Sequence, residues 1–167
     1  MKERGKHVLN LANRIVKSLK PYSKKIQIVG SIRRKEKNTR DIDIVLIPKD
    51  RLKSSRFPEK APKEKIISIM SKKGRHILGE DKKAYFRIEG IKVELYFTTK
   101  EEWGAALLAY SSKRGSGIGL RIVARLKGFK LTQHGLFNRK TGRRIAGRTE
   151  EEIYHALGRP WKKPEER

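Results

Sequence analysis

The sequence predicts an α+β protein in which a mixed β-sheet carries helices on one face and is followed by a small α/β C-terminal part. Three observations predict it. The chain opens on apolar residues at helical spacing, its middle holds two runs with strand character, and its last third alternates helix-start signals with a glycine-bearing hairpin pattern.

Val8, Leu11, Ala12, Ile15, Val16 and Leu19 mark an amphipathic first helix that Pro21 ends. IQIV (26–29) is a short strand running into Gly30-Ser31. DIDIVLI (41–47) is rich in β-branched residues, which predicts a strand buried along much of its length up to Pro48. A polar loop rich in Pro and Lys follows over 48–62, then a helix around EKIISIMSKK with Gly74 as its C-cap. KAYFRIEGIKVELYF (83–97) reads as two strands joined at Glu89-Gly90. Thr99 with Glu102 predicts a capping box that opens a helix through WGAALLA, and Thr149 with Glu152 a second one before EEIYHALG. Between them lie a basic amphipathic segment (118–127) and a hairpin, GLFNRKTGRRI. No internal repeat is present.

Lys and Arg number 43 against 18 Asp and Glu, a formal net charge of +25 with a pI near 10.5. Self-repulsion on that scale predicts a polyanionic partner, nucleic acid first, and a monomer. No apolar run approaches the roughly 20 residues of a spanning helix, so membrane association is not expected. The absence of Cys excludes disulfides, thiolate zinc sites and cysteine nucleophiles. The opening MKERGKHVLN lacks the apolar region of a secretion signal, which predicts an intracellular location, in cytoplasm, nucleoid or a virus-infected cell. His7, His76, His134 and His155 show no metal-ligand spacing.

The stretch GSIRRKEKNTRDID (30–43) places phosphate donors ahead of metal acceptors. In a strand, residues i and i+2 share a face, so Asp41 and Asp43 stand together while Ile42 and Ile44 point into packing. Glu94 is an acid within an apolar, alternating strand; if that strand pairs beside the first, three carboxylates converge. Such a set holds two Mg²⁺ ions about 4 Å apart, with Mn²⁺ an alternative, one activating an attacking hydroxyl and both stabilising a transferring phosphoryl group. Gly30-Ser31, at a strand end, lets backbone N–H groups and a hydroxyl approach an anion, and Arg33 or Arg34 offers a bidentate fork to phosphate.

GSIRRKEKNTRDIDIVLI (30–47) resembles the nucleotidyltransferase signature of family X DNA polymerases, the group that includes DNA polymerase beta. WGAALLAYSS (103–112), GFKLTQHGLF (128–137) and ALGRPWKKPEER (156–167) resemble further family segments, and in layout the chain is most similar to the minimal viral members. The resemblance implies a nucleotidyltransferase palm over 1–104 and a nucleotide- and template-binding part over 105–167. It implies Asp41, Asp43 and Glu94 as metal-binding acids, with Glu94 also activating the primer 3′ hydroxyl. Gly30, Ser31 and Arg34 fall on triphosphate contacts, Tyr110 and Ser111 on the sugar-contacting segment, and Arg121 on a template-side arginine. It further implies that DNA is held by charge, with Arg125, Lys127 and Lys130 among the phosphate contacts. Departures are Glu94 where aspartate is usual, Ala109 for an aromatic, Ser111-Ser112 for Thr-Gly, and Arg114 and Gly117 for polar side chains.

The expected activity is templated addition of deoxynucleotides to a primer end, at short gaps during repair. A related nucleotidyltransferase acting on an RNA 3′ end or a small molecule, and a catalytically silent nucleic-acid binder, are the alternatives.

Overall fold

Helix α1 (Glu3–Leu19) buries Val8, Leu11, Ala12, Ile15 and Leu19, the predicted stripe, and passes through a 3-10 turn with Pro21 in its first turn into strand β1 (Ser23–Ile28). The computed structural model describes residues 3–50 and 61–167 and divides into two compact units, Met1–Ile28 with Lys37–Phe97 and Val29–Glu36 with Thr98–Arg167. The short helix α2 (Gly30–Arg33) therefore belongs to the second unit, although it falls between strands of the first in the chain. Most of the loop expected at 48–62 lies outside the described residues.

The first unit continues with β2 (Ile42–Pro48), α3 (Pro62–Lys73), β3 (Arg75–Leu78), β4 (Lys83–Ile88) and β5 (Ile91–Phe97). Its sheet has the order β1-β2-β5-β4-β3, with β2 and β5 parallel and the other neighbours antiparallel, so it is mixed as predicted. Ile42, Ile44, Leu46, Val93, Leu95 and Phe86 are fully buried at alternate positions. α1 and α3 pack on each other and on the sheet, which puts both helices on the face these residues occupy. Gly74 caps α3, but with φ −177 its backbone is ordinary extended chain. Glycine is required there for space, since a Cβ would lie 2.4 Å from the Arg87 carbonyl oxygen in β4. β3 was not expected. It is a sheet edge whose Ile77 and Leu78 stay exposed, so its sequence carries no alternating signature.

The second unit comprises α2, α4 (Trp103–Ser111), α5 (Arg114–Leu126), β6 (Phe129–Thr132), β7 (Gly135–Asn138), β8 (Arg144–Ala146) and α6 (Glu150–Ala156). The expected hairpin is β7–β8, with β6 added as a third antiparallel strand. Ala105, Leu108, Ala124, Leu136, Ile153 and Leu157 form its core.

Thr149 caps α6 as predicted, accepting from the Glu152 N–H at 3.1 Å. The Thr99–Glu102 box does not form. Glu102 instead pairs with His134 at 3.2 Å and Arg144 at 3.5 Å, and no side chain caps α4. The N–H groups of Gly104 and Ala105 donate to the carbonyls of Arg148 and Gly147, so backbone does the work of the cap. That approach is close enough that a Cβ on Gly104 would lie 2.1 Å from Thr149 backbone.

Helix α5 contains the basic amphipathic segment expected over 118–127. Its buried residue is Ala124, with Leu120 and Val123 packed partly on the core, whereas Ile118, Ile122 and Leu126 are exposed. The apolar row at 118, 122 and 126 is therefore a surface feature.

One buried ionic cluster fixes α2 within this unit. Glu150 accepts from Arg33 at 2.8 and 3.0 Å and from Arg167 at 2.7 and 3.2 Å, with the carboxylate only 4% exposed. Burial works to raise the Glu150 pKa, but the bonds from Arg33 and Arg167 prevail and hold it below the usual 4.5. A depressed carboxylate pKa contributes stability that is complete above the unfolded value and is lost as pH falls through the folded one. Glu150→Gln strands two buried guanidinium groups, and is expected to cost about 3 kcal/mol. That corresponds to roughly 6–12 °C in thermal midpoint at pH 7 for a chain of this size, with the difference from wild type shrinking below pH 4.

Candidate functional site

The parallel pairing of β2 with β5 sets Asp43 directly opposite Glu94. This follows from the core: Ile42 and Ile44 on one strand, and Val93 and Leu95 on the other, are fully buried on the helix-covered face, so the residue between each pair must face away. Asp41 sits exposed in the bend before β2. Among the described residues no three metal-ligating side chains close on a common point. Asp43 and Glu94 are the pair brought together, and the charge of Asp41 acts on Asp43.

Two neighbours on the Glu94 face complete the arrangement. The Tyr96 hydroxyl donates to Glu94 Oε2 at 2.5 Å and lies 3.4 Å from Asp43 Oδ1. Lys92 Nζ is 2.5 Å from Glu94 Oε1. On β4, Tyr85 stands opposite Glu94 and Lys83 opposite Tyr96, so Lys83 covers the Tyr96 ring at 5.5 Å and Lys92 the Tyr85 ring at 5.7 Å. Sequence reasoning missed Lys92 and Tyr96, although positions i−2 and i+2 from Glu94 on a strand share its face.

Burial, then the hydrogen bond and charge of Glu94, then the charge of Asp41, push the Asp43 pKa up to about 7. Burial also acts to raise Glu94, but bonds from Lys92 and Tyr96 outweigh it and the Glu94 pKa falls below 4.5. Below about pH 7 the pair thus carries its charge on Glu94 and its proton on Asp43. Hard carboxylate oxygens whose mutual repulsion a divalent cation would relieve are a fitting donor set for Mg²⁺ or Mn²⁺.

In the second unit, Gly30 opens α2 with φ +65, a left-handed conformation that suits glycine. No side chain caps the helix at Val29. Arg34 is largely buried and donates to the Ser111 carbonyl at 2.9 Å and to Glu36 at 2.9 Å. Ser111 is fully buried, its hydroxyl accepting from Arg33 at 2.8 Å. The structure thus ties Ser111 to the arginines of the glycine-serine turn. Ser31 and Tyr110 are half-buried.

A cavity of about 380 Å³ lies between α4, α5 and β6 and is lined by Ala109, Ser112, Arg114, Gly117, Ile118 and Arg121 among others. Four of the positions where this chain departs from the family pattern, Ala109, Ser112, Arg114 and Gly117, thereby line one space, while Ser111 and Glu94 do not. Arg121, Arg125, Lys127 and Lys130 are all exposed.

The raised Asp43 pKa has a stability consequence. A carboxylate whose folded pKa is above its unfolded 3.8 destabilises the fold as pH rises from about 4 to about 7, because the native state must release a proton it holds more tightly. Asp43→Asn is expected to raise the metal-free thermal midpoint at pH 8 by several degrees, at about 2–4 °C per kcal/mol recovered. Saturating Mg²⁺ should raise the wild-type midpoint at that pH and leave the variant unmoved.

The family model described as the DNA polymerase beta thumb matches residues 106–167, which contain α5, the three-stranded sheet and α6. The repair DNA polymerase X of a Namibian warthog isolate of African swine fever virus is 29% identical over 153 residues, covering 89% of this chain and 84% of the relative. The same enzyme from a Kenyan pig isolate is 30% identical over 154 residues, with the same coverage. Likeness at that level runs through the paired-carboxylate sheet as well as the thumb, and the chain belongs to the family X DNA polymerases.

Proposed function

We propose that the protein is a template-dependent repair polymerase that adds deoxynucleotides to a primer 3′ end at short gaps in DNA. The single observation that carries this reading is the register of β2 against β5, which sets two acids side by side on a sheet whose other face is sealed by helices. Asp41, Asp43 and Glu94 would hold the divalent cations, two Mg²⁺ ions supplying Lewis-acid stabilisation of the transferring phosphoryl group. Glu94, kept anionic by its bonds, would accept the proton of the primer hydroxyl as that oxygen attacks the α-phosphorus and pyrophosphate leaves. Gly30, Ser31 and the rest of the Arg34 fork would take the triphosphate, and Tyr110 would contact the sugar. Arg121 would reach the template side of the nascent pair.

The charge supports DNA as the acceptor. Arg121, Arg125, Lys127 and Lys130 project from one region of the second unit, and binding through such cations is sensitive to salt. No helix of the described residues is long and apolar enough to cross a membrane. A small, strongly self-repelling chain would work as a monomer within the cell or infected cell.

The test is Mg²⁺-dependent extension of a primer across a one-nucleotide DNA gap. Templated extension by wild type, and its loss by at least about a hundredfold in Asp41→Ala and in Glu94→Ala, is the expected result for groups that act on the transferring phosphoryl. Extension undiminished in both variants would overturn the assignment of the acids. Lanes with ribonucleotides report whether Ala109 leaves the sugar gate open. In a titration of gapped DNA at several salt concentrations, Arg121→Ala with Arg125→Ala should lower the log–log slope by about 1.8, at about 0.9 for each phosphate contact removed.

A further inference from the structure

The reaction as proposed uses the carboxylate of Glu94 but neither of the groups bonded to it. Both of its oxygens are engaged: Oε2 by the Tyr96 hydroxyl and Oε1 by the Lys92 ammonium, each at 2.5 Å. A cation shared by Asp43 and Glu94 needs one of these oxygens. The two partners differ in how readily they yield.

The Lys92 side chain is 46% exposed on a four-carbon stem, and an ion pair in that setting is weak and easily exchanged for water. Tyr96 is 8% exposed, its ring lies under Lys83, and its hydroxyl spans from Glu94 towards Asp43 Oδ1 at 3.4 Å. It has no comparable freedom to leave. Glu94 also carries one more rotatable bond than an aspartate, and a fixed donor on one oxygen removes the freedom that the extra methylene adds.

We propose that Tyr96 is a positioning residue that fixes the Glu94 carboxylate for a divalent cation, and that Lys92 is a resident counter-cation which the metal displaces from Glu94 Oε1. This rests on the reading of Asp43 and Glu94 as metal-binding acids. The exchange explains how two neighbouring acids persist on the sheet before metal arrives: one cation stands in for another. It also gives opposite signs to two substitutions on the same face. Removing Lys92 removes a competitor, and removing the Tyr96 hydroxyl removes a support.

The test is Mn²⁺ binding to the full, metal-free chain at constant ionic strength, read from the electron paramagnetic resonance signal of the free ion, with no turnover involved. Lys92→Met is expected to tighten Mn²⁺ binding about threefold, the size of a half-exposed ion pair. Tyr96→Phe is expected to weaken it about tenfold, the size of one hydrogen bond to a charged group. Lys83 carries the same charge on the same face, over the Tyr96 ring; Lys83→Met should tighten binding by less than Lys92→Met, and equal tightening would reduce the effect to net charge and overturn the exchange. A Tyr96→Phe variant with a lowered thermal midpoint but unchanged Mn²⁺ affinity would make Tyr96 merely structural. Asp43→Asn separates metal binding by the acids from the cation exchange at Glu94. If it binds Mn²⁺ like wild type, the acids are not the metal site at all. If it loses binding while Lys92→Met and Tyr96→Phe keep the wild-type affinity, the acids stand and the exchange falls.

Discussion

Two acids set opposite one another on adjacent strands are the constraint around which the first unit is built. Asp43 and Glu94 are opposite one another because Ile42, Ile44, Val93 and Leu95 have nowhere to go but the helix-covered face. A slip of one residue in either strand would turn its apolar set outward and its acid inward, so the hydrophobic core enforces a repulsive pairing. The local consequences are a proton retained on Asp43 and two donors gathered on Glu94. Stability is given up to keep a cluster that a divalent cation would satisfy, a cost that fits a site held ready for charge.

The second unit treats its buried acid in the opposite way. Glu150 is almost fully enclosed, yet two arginines meet both of its oxygens and its pKa is depressed. That carboxylate is saturated and serves to anchor α2 to α6. Asp43 is starved of cations and is available. The same residue class is thus saturated in one place and left short of cations in the other, and the difference lies in the number of guanidinium groups within reach.

Much of this was legible in the sequence, for identifiable reasons. The 8–19 stripe, the buried run from 42 to 48 and the alternation through 91–97 are strong because each element packs one face on a core. Glu94 stood out because an acid interrupts such a strand, and the pairing of β2 with β5 sets it opposite Asp43. What the sequence did not disclose depends on pairing between distant segments. β3 is an exposed edge, β6 is half-buried on a three-stranded sheet, and the Thr99–Glu102 capping signal is overridden by backbone carbonyls at Gly147 and Arg148. The apolar row of α5 has the periodicity of a core face but lies in solvent, since periodicity says which residues share a face and not which face is covered. The two arginines after Gly30-Ser31 looked equivalent; Arg33 is taken by Glu150 and Ser111, a contact 117 residues away that no local pattern announces.

The polymerase chemistry proposed above requires that the acids beside Tyr96 hold the catalytic metals. Anomalous diffraction from crystals of the protein with gapped DNA, Mn²⁺ and a non-hydrolysable deoxynucleoside triphosphate tests that directly. The prediction is two Mn²⁺ peaks about 3.5–4 Å apart, both within coordination distance of Asp41 and Asp43, and one of them of Glu94. Peaks placed elsewhere in a ternary complex, or a nucleotide bound with Asp43 and Glu94 still uncoordinated, would contradict it.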